Sequence, residues 1–171
     1  MISRVINFVK LPFVLITLYA ALRFIIGVSG VPYAPRGNAM FSVVGVTVIS
    51  CVYFGALSGR IGGFGWGGTA LVGLSLGVFS QILIFLATII SYVGGFETSY
   101  FIHWDALGLD PAKFDVPMAE ALMNPEKVTM PMGTALMTRA GGLVINSIIT
   151  TVVALIGRAL GALAPQPQAA K

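Results

Sequence analysis

The confinement of all carboxylates to one segment is the feature that most constrains this chain. Its six acidic residues fall between positions 97 and 126, and they are Glu97, Asp105, Asp110, Asp115, Glu120 and Glu126. A water-soluble domain distributes charge over its whole surface, because that surface faces solvent everywhere. One acidic segment set within apolar sequence therefore predicts a single large aqueous feature on a protein that otherwise lies in lipid.

Composition supports this assignment. The apolar fraction of 57% exceeds the roughly 45–50% of soluble domains, and the charged fraction of 9% lies far below their roughly 25%. The basic residues give a net charge of +4, but they stand singly at the ends of apolar stretches. This placement is typical of topology determinants and argues against nucleic-acid binding. The lone Cys51 excludes an intrachain disulfide and is predicted to be a small buried hydrophobe.

Four apolar stretches reach the roughly 20 residues that a spanning helix needs. They are residues 11–30, 40–58, 69–93 and 140–157. The sequence thus predicts an all-α integral membrane protein, a four-transmembrane-helix bundle that forms a single membrane domain over residues 1–164. The first stretch is long and contains Arg23, which favours an uncleaved anchor over a signal peptide. Arg139 and Arg158 bracket the fourth.

The segments outside these spans differ in kind. The turn-rich linker over residues 30–39 places Tyr33 at headgroup level, and six glycines mark residues 59–68. Phe64 and Trp66 in that second linker are predicted to be interfacial anchors. The polar, proline-rich residues 165–171 are predicted to be a disordered tail.

Residues 94–133 form the long acidic linker, which we call the lid. Asp110-Pro111 and Asn124-Pro125 each place a capping residue before a proline, which is a common start of a helix. The lid is therefore predicted to be an aqueous loop with short helices between the third and fourth spans, lying over the mouth of the bundle.

The distribution of charge predicts an orientation. Four spans place both termini on one side, with five basic and no acidic residues, and leave five basic and all six acidic residues opposite. If Arg23 and Arg139 are discounted as parts of helices, the excess of basic residues predicts cytoplasmic termini. The expected location is the inner or plasma membrane of a bacterium.

Arg23 is the ionisable residue that lies well inside a predicted span, and such a residue is by default a functional candidate. Its guanidinium can extend towards the lid, where a carboxylate is the natural partner. The favoured prediction is an ion pair that holds the lid. A site for a lipid phosphate or another anionic ligand is the alternative.

Gln81 and Asn146 are amides in the third and fourth spans. Such groups commonly hydrogen-bond between helices, and that structural role is favoured here. The alternative is a polar passage through the bundle.

Small residues also recur at four-residue spacing, a pattern that lets helices approach closely within the chain or against a partner subunit. These pairs are Gly55 with Gly59, Gly73 with Gly77, and Gly157 with Gly161.

His103 is the sole histidine, and it stands two positions before Asp105. A metal site could be drawn from His103, Asp105 and another lid acid. However, the carboxylates at positions 105, 110, 115 and 120 match no helix or strand period, and no metal-binding motif appears. The favoured interpretation is an interfacial histidine beside a solvated acidic surface. We predict no catalytic, cofactor-binding or metal-ligating residue and no cofactor.

Three functional hypotheses remain. The first, which the sequence favours, is a non-catalytic accessory or scaffold subunit of a larger membrane complex, with lipid and other membrane subunits, or further copies of the chain, as partners. The second is a small oligomeric channel or carrier with a polar path near Gln81 and Asn146. The third is a membrane enzyme or metal-binding protein that uses His103 and the lid carboxylates.

Overall fold

The computed structural model describes residues 1–33 and 42–163, with Glu126 described by its backbone alone. This part of the chain is all-helical, and four of its helices are long and apolar enough to cross a membrane. The predicted fold class is confirmed to that extent. Most of the 30–39 linker and the predicted disordered tail lie outside the described residues.

A short first helix runs almost directly into the first long one, and one further short helix lies in the lid. In chain order the α-helices are α1 (Ile2–Phe8), α2 (Lys10–Val28), α3 (Val43–Arg60), α4 (Trp66–Val93), α5 (Met118–Met123) and α6 (Met132–Leu163). The long helices α2, α3, α4 and α6 correspond to the four predicted spans.

The last helix is much longer than the predicted span of residues 140–157. Pro131 stands directly before Met132, a position at which proline is well tolerated because its missing N–H is not needed. Arginine is a good helix former, so a charge that ends an apolar stretch does not end the helix. Arg139 and Arg158 therefore lie inside α6 and not at its ends.

The contact between α6 and α3 depends on glycine. A Cβ atom built at Gly55 would lie 2.2 Å from the Ala154 carbonyl oxygen, and one at Gly157 would lie 2.3 Å from that of Val52. A Cβ atom at Gly161 would lie 2.8 Å from the carbonyl oxygen of Ala56 in α3. These glycines let the two backbones touch, as small residues do where membrane helices cross.

The contact between α6 and α4 also depends on glycine. A Cβ atom at Gly73 would lie 2.5 Å from the Thr150 carbonyl oxygen, and one at Gly77 would lie 2.1 Å from the Thr150 hydroxyl. A Cβ atom at Gly59, on α3, would lie 3.0 Å from Nη1 of Arg158. All six glycines singled out by their spacing therefore pack within this chain.

The first two helices pack on α3, α4 and the loop between them through larger side chains. Phe13 stacks on Phe79 of α4, with ring centroids 4.2 Å apart. Phe8 makes edge-on contacts with Phe54 and Phe64, at 5.6 and 5.3 Å. Side-chain packing of this kind holds α2 at a greater distance from its neighbours than glycine holds α6.

Arginines close the glycine-rich loop between α3 and α4. Arg158 donates hydrogen bonds to the Phe64 carbonyl and, over 3.0 Å, to the Thr69 hydroxyl, and Arg4 lies over the Phe64 ring at 5.4 Å. Phe64 is buried in the described part of the chain, and its predicted position at the interface stays a prediction. Trp66, in contrast, is exposed and lies beneath the Arg158 guanidinium.

Each long helix has large apolar side chains that are exposed in the described part of the chain. Many of them are about half exposed or more, as on a bundle surrounded by hydrocarbon. On α2 and α6 they include Leu11, Val14, Leu18, Leu22, Ile25, Val144, Ile145, Ile148, Val152, Ile156 and Leu160.

The lid has a small core of its own. Buried Trp104, Ala121 and Val128 pack together, and the Trp104 indole N–H donates to the Ala121 carbonyl over 3.1 Å. Three 3₁₀ turns and α5 surround this core, at Asp105–Leu107, Pro111–Phe114, Met118–Met123 and Pro125–Lys127. The lid thus has a defined internal packing.

Candidate functional site

Arg139 fastens the lid to the bundle. Its Nη2 donates to the Phe101 carbonyl over 2.6 Å, its Nη1 to the Ala106 carbonyl over 2.9 Å, and its Nε to the Thr88 hydroxyl over 3.3 Å. One guanidinium therefore joins α6, α4 and two points of the lid. Because hydrogen bonds from a cation are stronger than neutral ones, this contact is a principal attachment of the lid.

Arg23 also contacts the lid, through an aromatic ring. Its guanidinium carbon lies 4.6 Å from the centre of the Tyr100 ring, a cation–π distance. Tyr100 packs against Gly27 of α2, where a Cβ would lie 2.7 Å from the Tyr100 nitrogen, and its hydroxyl donates to the Val31 carbonyl over 2.8 Å. The predicted pairing of Arg23 with a lid carboxylate stays a prediction.

Both arginines line one cavity beneath the lid, with a volume of about 340 Å³. The start of α3 forms part of its wall, where the Ser42 hydroxyl caps the helix by accepting from the Gly45 N–H over 3.0 Å. Its polar lining includes Arg23, Tyr33, Ser42, Tyr100, Asp105 and Arg139. We call this space the arginine cavity.

Tyr33 and His103 stack beside this cavity. Their ring centroids are 4.0 Å apart and their planes are inclined by 17°. Burial, together with the charge and hydrogen bonding of the Asp105 carboxylate, raises the pKa of Tyr33 to about 12. Tyr33 is therefore a neutral hydroxyl packed against the lid, and its predicted position at headgroup level stays a prediction.

His103 is buried and neutral. Its Nδ1 accepts the backbone N–H of Asp105 over 3.2 Å, so the ring proton of the neutral form lies on Nε2. Burial lowers the pKa of His103 to about 4. A second cavity of about 450 Å³, between the lid and the end of α4, has His103 and Glu97 in its lining.

The other lid carboxylates have structural roles. Asp110 accepts the Ala112 N–H over 3.1 Å and so caps the turn that begins at Pro111, as its sequence position predicts. Asp115 adopts the left-handed conformation, with φ of 55°. Glu120 forms an exposed ion pair with Lys127, and such pairs contribute little to stability.

Within residues 1–33 and 42–163, no three potential metal-ligating side chains come together. His103 and Asp105 are brought close, yet Asp110, Asp115 and Glu120 do not join them in such a group. The geometry of the third hypothesis is therefore not found in the described part of the chain. Ser99, four positions before His103 in sequence, instead accepts a hydrogen bond from Ser91 over 2.6 Å.

Gln81 and Asn146 meet at the contact between α4 and α6. Oε1 of Gln81 and Nδ2 of Asn146 both approach the position of a Cβ at Gly142, at 3.6 and 3.7 Å. Nε2 of Gln81 and the Ser147 hydroxyl are buried, and neither has a hydrogen-bond partner among residues 1–33 and 42–163. The two predicted amides are thus neighbours.

Sequence reasoning missed Arg139 and Tyr33 as parts of this site. A signal for Arg139 existed, since it stands close to the predicted membrane edge and could reach the lid as readily as Arg23. Its partners are backbone carbonyls, which every residue carries, so no sequence pattern identifies them.

Comparison with known proteins adds no assignment, because no protein-family model, curated protein or solved structure matches this chain.

Proposed function

We propose that the four long helices span a bacterial inner or plasma membrane, with both termini in the cytoplasm and the aqueous lid on the opposite side. The helices have mean hydropathies of 1.5 to 2.2, and their outer faces are aliphatic. Arg139 and Arg158 lie towards opposite ends of α6 and bind the loops there. Such a distribution suits a hydrocarbon layer between two polar boundaries.

Within that membrane the protein serves as a non-catalytic accessory or scaffold subunit of a larger complex. One observation carries this proposal, a group of exposed apolar side chains in the lid. Phe114, Met118, Leu122 and Met123 are all exposed there, Met118 by 54% and Met123 by 75%. We call these four residues the lid apolar face.

The lid apolar face is not needed for the folding of the lid itself. The buried lid core consists of Trp104, Ala121 and Val128, and Arg139 binds the lid at Phe101 and Ala106, so neither contact uses these four residues. Met118 and Leu122 are four positions apart on α5 and so share one helix face. Exposed apolar groups in the most acidic part of a chain are typical of a protein contact, and methionine adapts well to such contacts. The occupant is the extramembrane part of another membrane protein.

The deciding experiment is the mass and composition of the particle after gentle detergent extraction from native membrane. We expect different proteins at a fixed stoichiometry. Met123→Gln should release them, whereas Met137→Gln, at a methionine of 78% exposure on α6, should not. A homogeneous monomer or homo-oligomer, or equal retention in both variants, would contradict the accessory role.

A small channel or carrier is a second candidate, favoured by the unpartnered Nε2 of Gln81 and the hydroxyl of Ser147 between α4 and α6. Buried polar groups without partners are costly unless water or a solute satisfies them. Potassium flux in liposomes containing the purified chain tests this candidate. A polar path predicts flux that Gln81→Leu removes, and a structural amide predicts no flux in either protein.

A further inference from the structure

We propose that the arginine cavity binds a phosphate group, held by Arg23 of α2 and Arg139 of α6. Both guanidinium groups line this single cavity although they come from opposite ends of the sequence. Arginine is the side chain best suited to phosphate, because its planar fork presents parallel N–H donors to two oxygens. The site is independent of the partner contact proposed for the lid apolar face.

Arg139 is oriented in advance for such a ligand. Its three bonds to Phe101, Ala106 and Thr88 use three of the five N–H groups that a guanidinium carries. Two N–H groups have no acceptor among the residues that the structure describes, and they can donate to a ligand. A side chain that is already held in place loses little conformational entropy on binding, so this half of the site is preorganised.

The electrostatics of the described lining favour an anion. Two guanidinium groups and one carboxylate, Asp105, face the cavity, and Asp105 is also engaged with the Tyr33 hydroxyl. The wall at residues 42–44 is the start of α3, whose dipole adds positive potential there. Two guanidinium charges, from α2 and α6, and the dipole of α3 therefore act on one cavity.

The dimensions of the cavity indicate an organic phosphate. A volume of about 340 Å³ exceeds what a single small ion requires, and the rings of Tyr33 and Tyr100 add an aromatic wall. Arg23 lies near the lid end of α2, at the level where phospholipid headgroups are expected if the bundle spans a membrane. A phospholipid headgroup and a soluble phosphate share the chemistry that this site recognises.

Thermal unfolding of the purified full chain in a neutral detergent tests the proposal. The probes are dioctanoyl phosphatidylglycerol, inorganic phosphate and dioctanoylglycerol, which has the same chains but no phosphate. Arg23→Gln removes one guanidinium, Arg23→Lys keeps the charge, and Lys10→Gln removes an exposed cation at the other end of α2. This set separates the site from general attraction between cationic protein and anionic lipid.

We expect phosphatidylglycerol to raise the Tm saturably and dioctanoylglycerol to leave it unchanged. Arg23→Gln should weaken binding by about tenfold or more, Arg23→Lys by less, and Lys10→Gln not at all. Competition by inorganic phosphate would identify the phosphate as the group recognised, and stabilisation by inorganic phosphate alone would identify a soluble ligand. Equal shifts from both lipids, no shift from either phosphate, or unchanged binding in Arg23→Gln would overturn the proposal.

Discussion

At the scale of single residues, Arg139 is the most unusual, because two of its three hydrogen-bond acceptors are backbone carbonyls. Those carbonyls belong to Phe101 and Ala106, in a part of the lid without a regular ladder of hydrogen bonds. The arginine therefore supplies donors that secondary structure would otherwise provide. Its loss would leave buried acceptors unsatisfied at the point where the lid meets α4 and α6.

Replacement of Arg139 by methionine keeps the length of the side chain and removes those donors. We expect the variant to lose about 2–4 kcal/mol of stability, since hydrogen bonds to charged groups contribute about 1.5–3 kcal/mol each and not all losses add. Limited proteolysis should then cut within residues 97–126 faster than in wild type. Arg60→Met, at the other end of the bundle, is the control. Equal protection of the lid in both variants would show that Arg139 does not hold it.

The buried His103 makes a separate prediction about pH. Its folded pKa of about 4 lies below the unfolded value of 6.5, so the unfolded chain binds more protons between these values. The neutral ring thus contributes stability that is fully present above pH 6.5 and is lost as pH falls towards 4. The loss is on the order of 3 kcal/mol.

His103→Phe keeps a ring against Tyr33 but cannot titrate, so it isolates this effect from that of the lid carboxylates. Thermal unfolding measured between pH 4 and 7.5 should show a smaller decrease in Tm for the variant than for wild type. Parallel pH profiles would mean that the histidine is accessible to protons in the folded state.

At the scale of helices, glycine determines which elements touch. The α6 helix contacts α3 and α4 at backbone distance, while α2 contacts its neighbours through phenylalanine. The three glycine pairs are thus occupied inside the chain, and they lend no support to a partner helix at those positions. A partner is better sought at the lid apolar face.

Gly157→Ala tests this packing. Its new methyl group would lie 2.3 Å from the Val52 carbonyl oxygen, so α6 and α3 would have to separate. We expect a loss of about 1–3 kcal/mol, the usual cost of overpacking. Gly141→Ala is the matched control, because a Cβ there meets nothing within 4 Å and alanine is the better helix former. If both variants lower the Tm equally in detergent, close helix contact is not the reason for Gly157.

At the scale of the whole molecule, the arrangement of charge predicts how the chain sits in a membrane. Single-cysteine labelling with a membrane-impermeant maleimide measures this directly, because the one native cysteine, Cys51, is buried. We expect Lys113→Cys in the lid to react in intact cells and Ile61→Cys, in the loop at the other end of the bundle, to react after lysis alone. Both sites lie outside the long helices. The reverse pattern would invert the proposed orientation.

The sequence by itself determined the helical class and the number of long apolar helices. Hydrophobic length, isolated charges and a lone acidic segment are properties of neighbouring residues, so no tertiary contact is needed to detect them. The helix ends were less predictable, since Arg139 interrupts an apolar stretch without interrupting the backbone hydrogen bonds of α6.

Tertiary structure alone decided which polar groups meet. Arg23 and Arg139 line one cavity because the rotation and offset of α2 and α6 bring them there, and periodicity within one helix does not set these relations. Tertiary contacts also decide the burial of Phe64, whose ring packs against Arg4 and Phe8. Apolar character is a property of each segment, whereas a site depends on contacts between segments far apart in the chain.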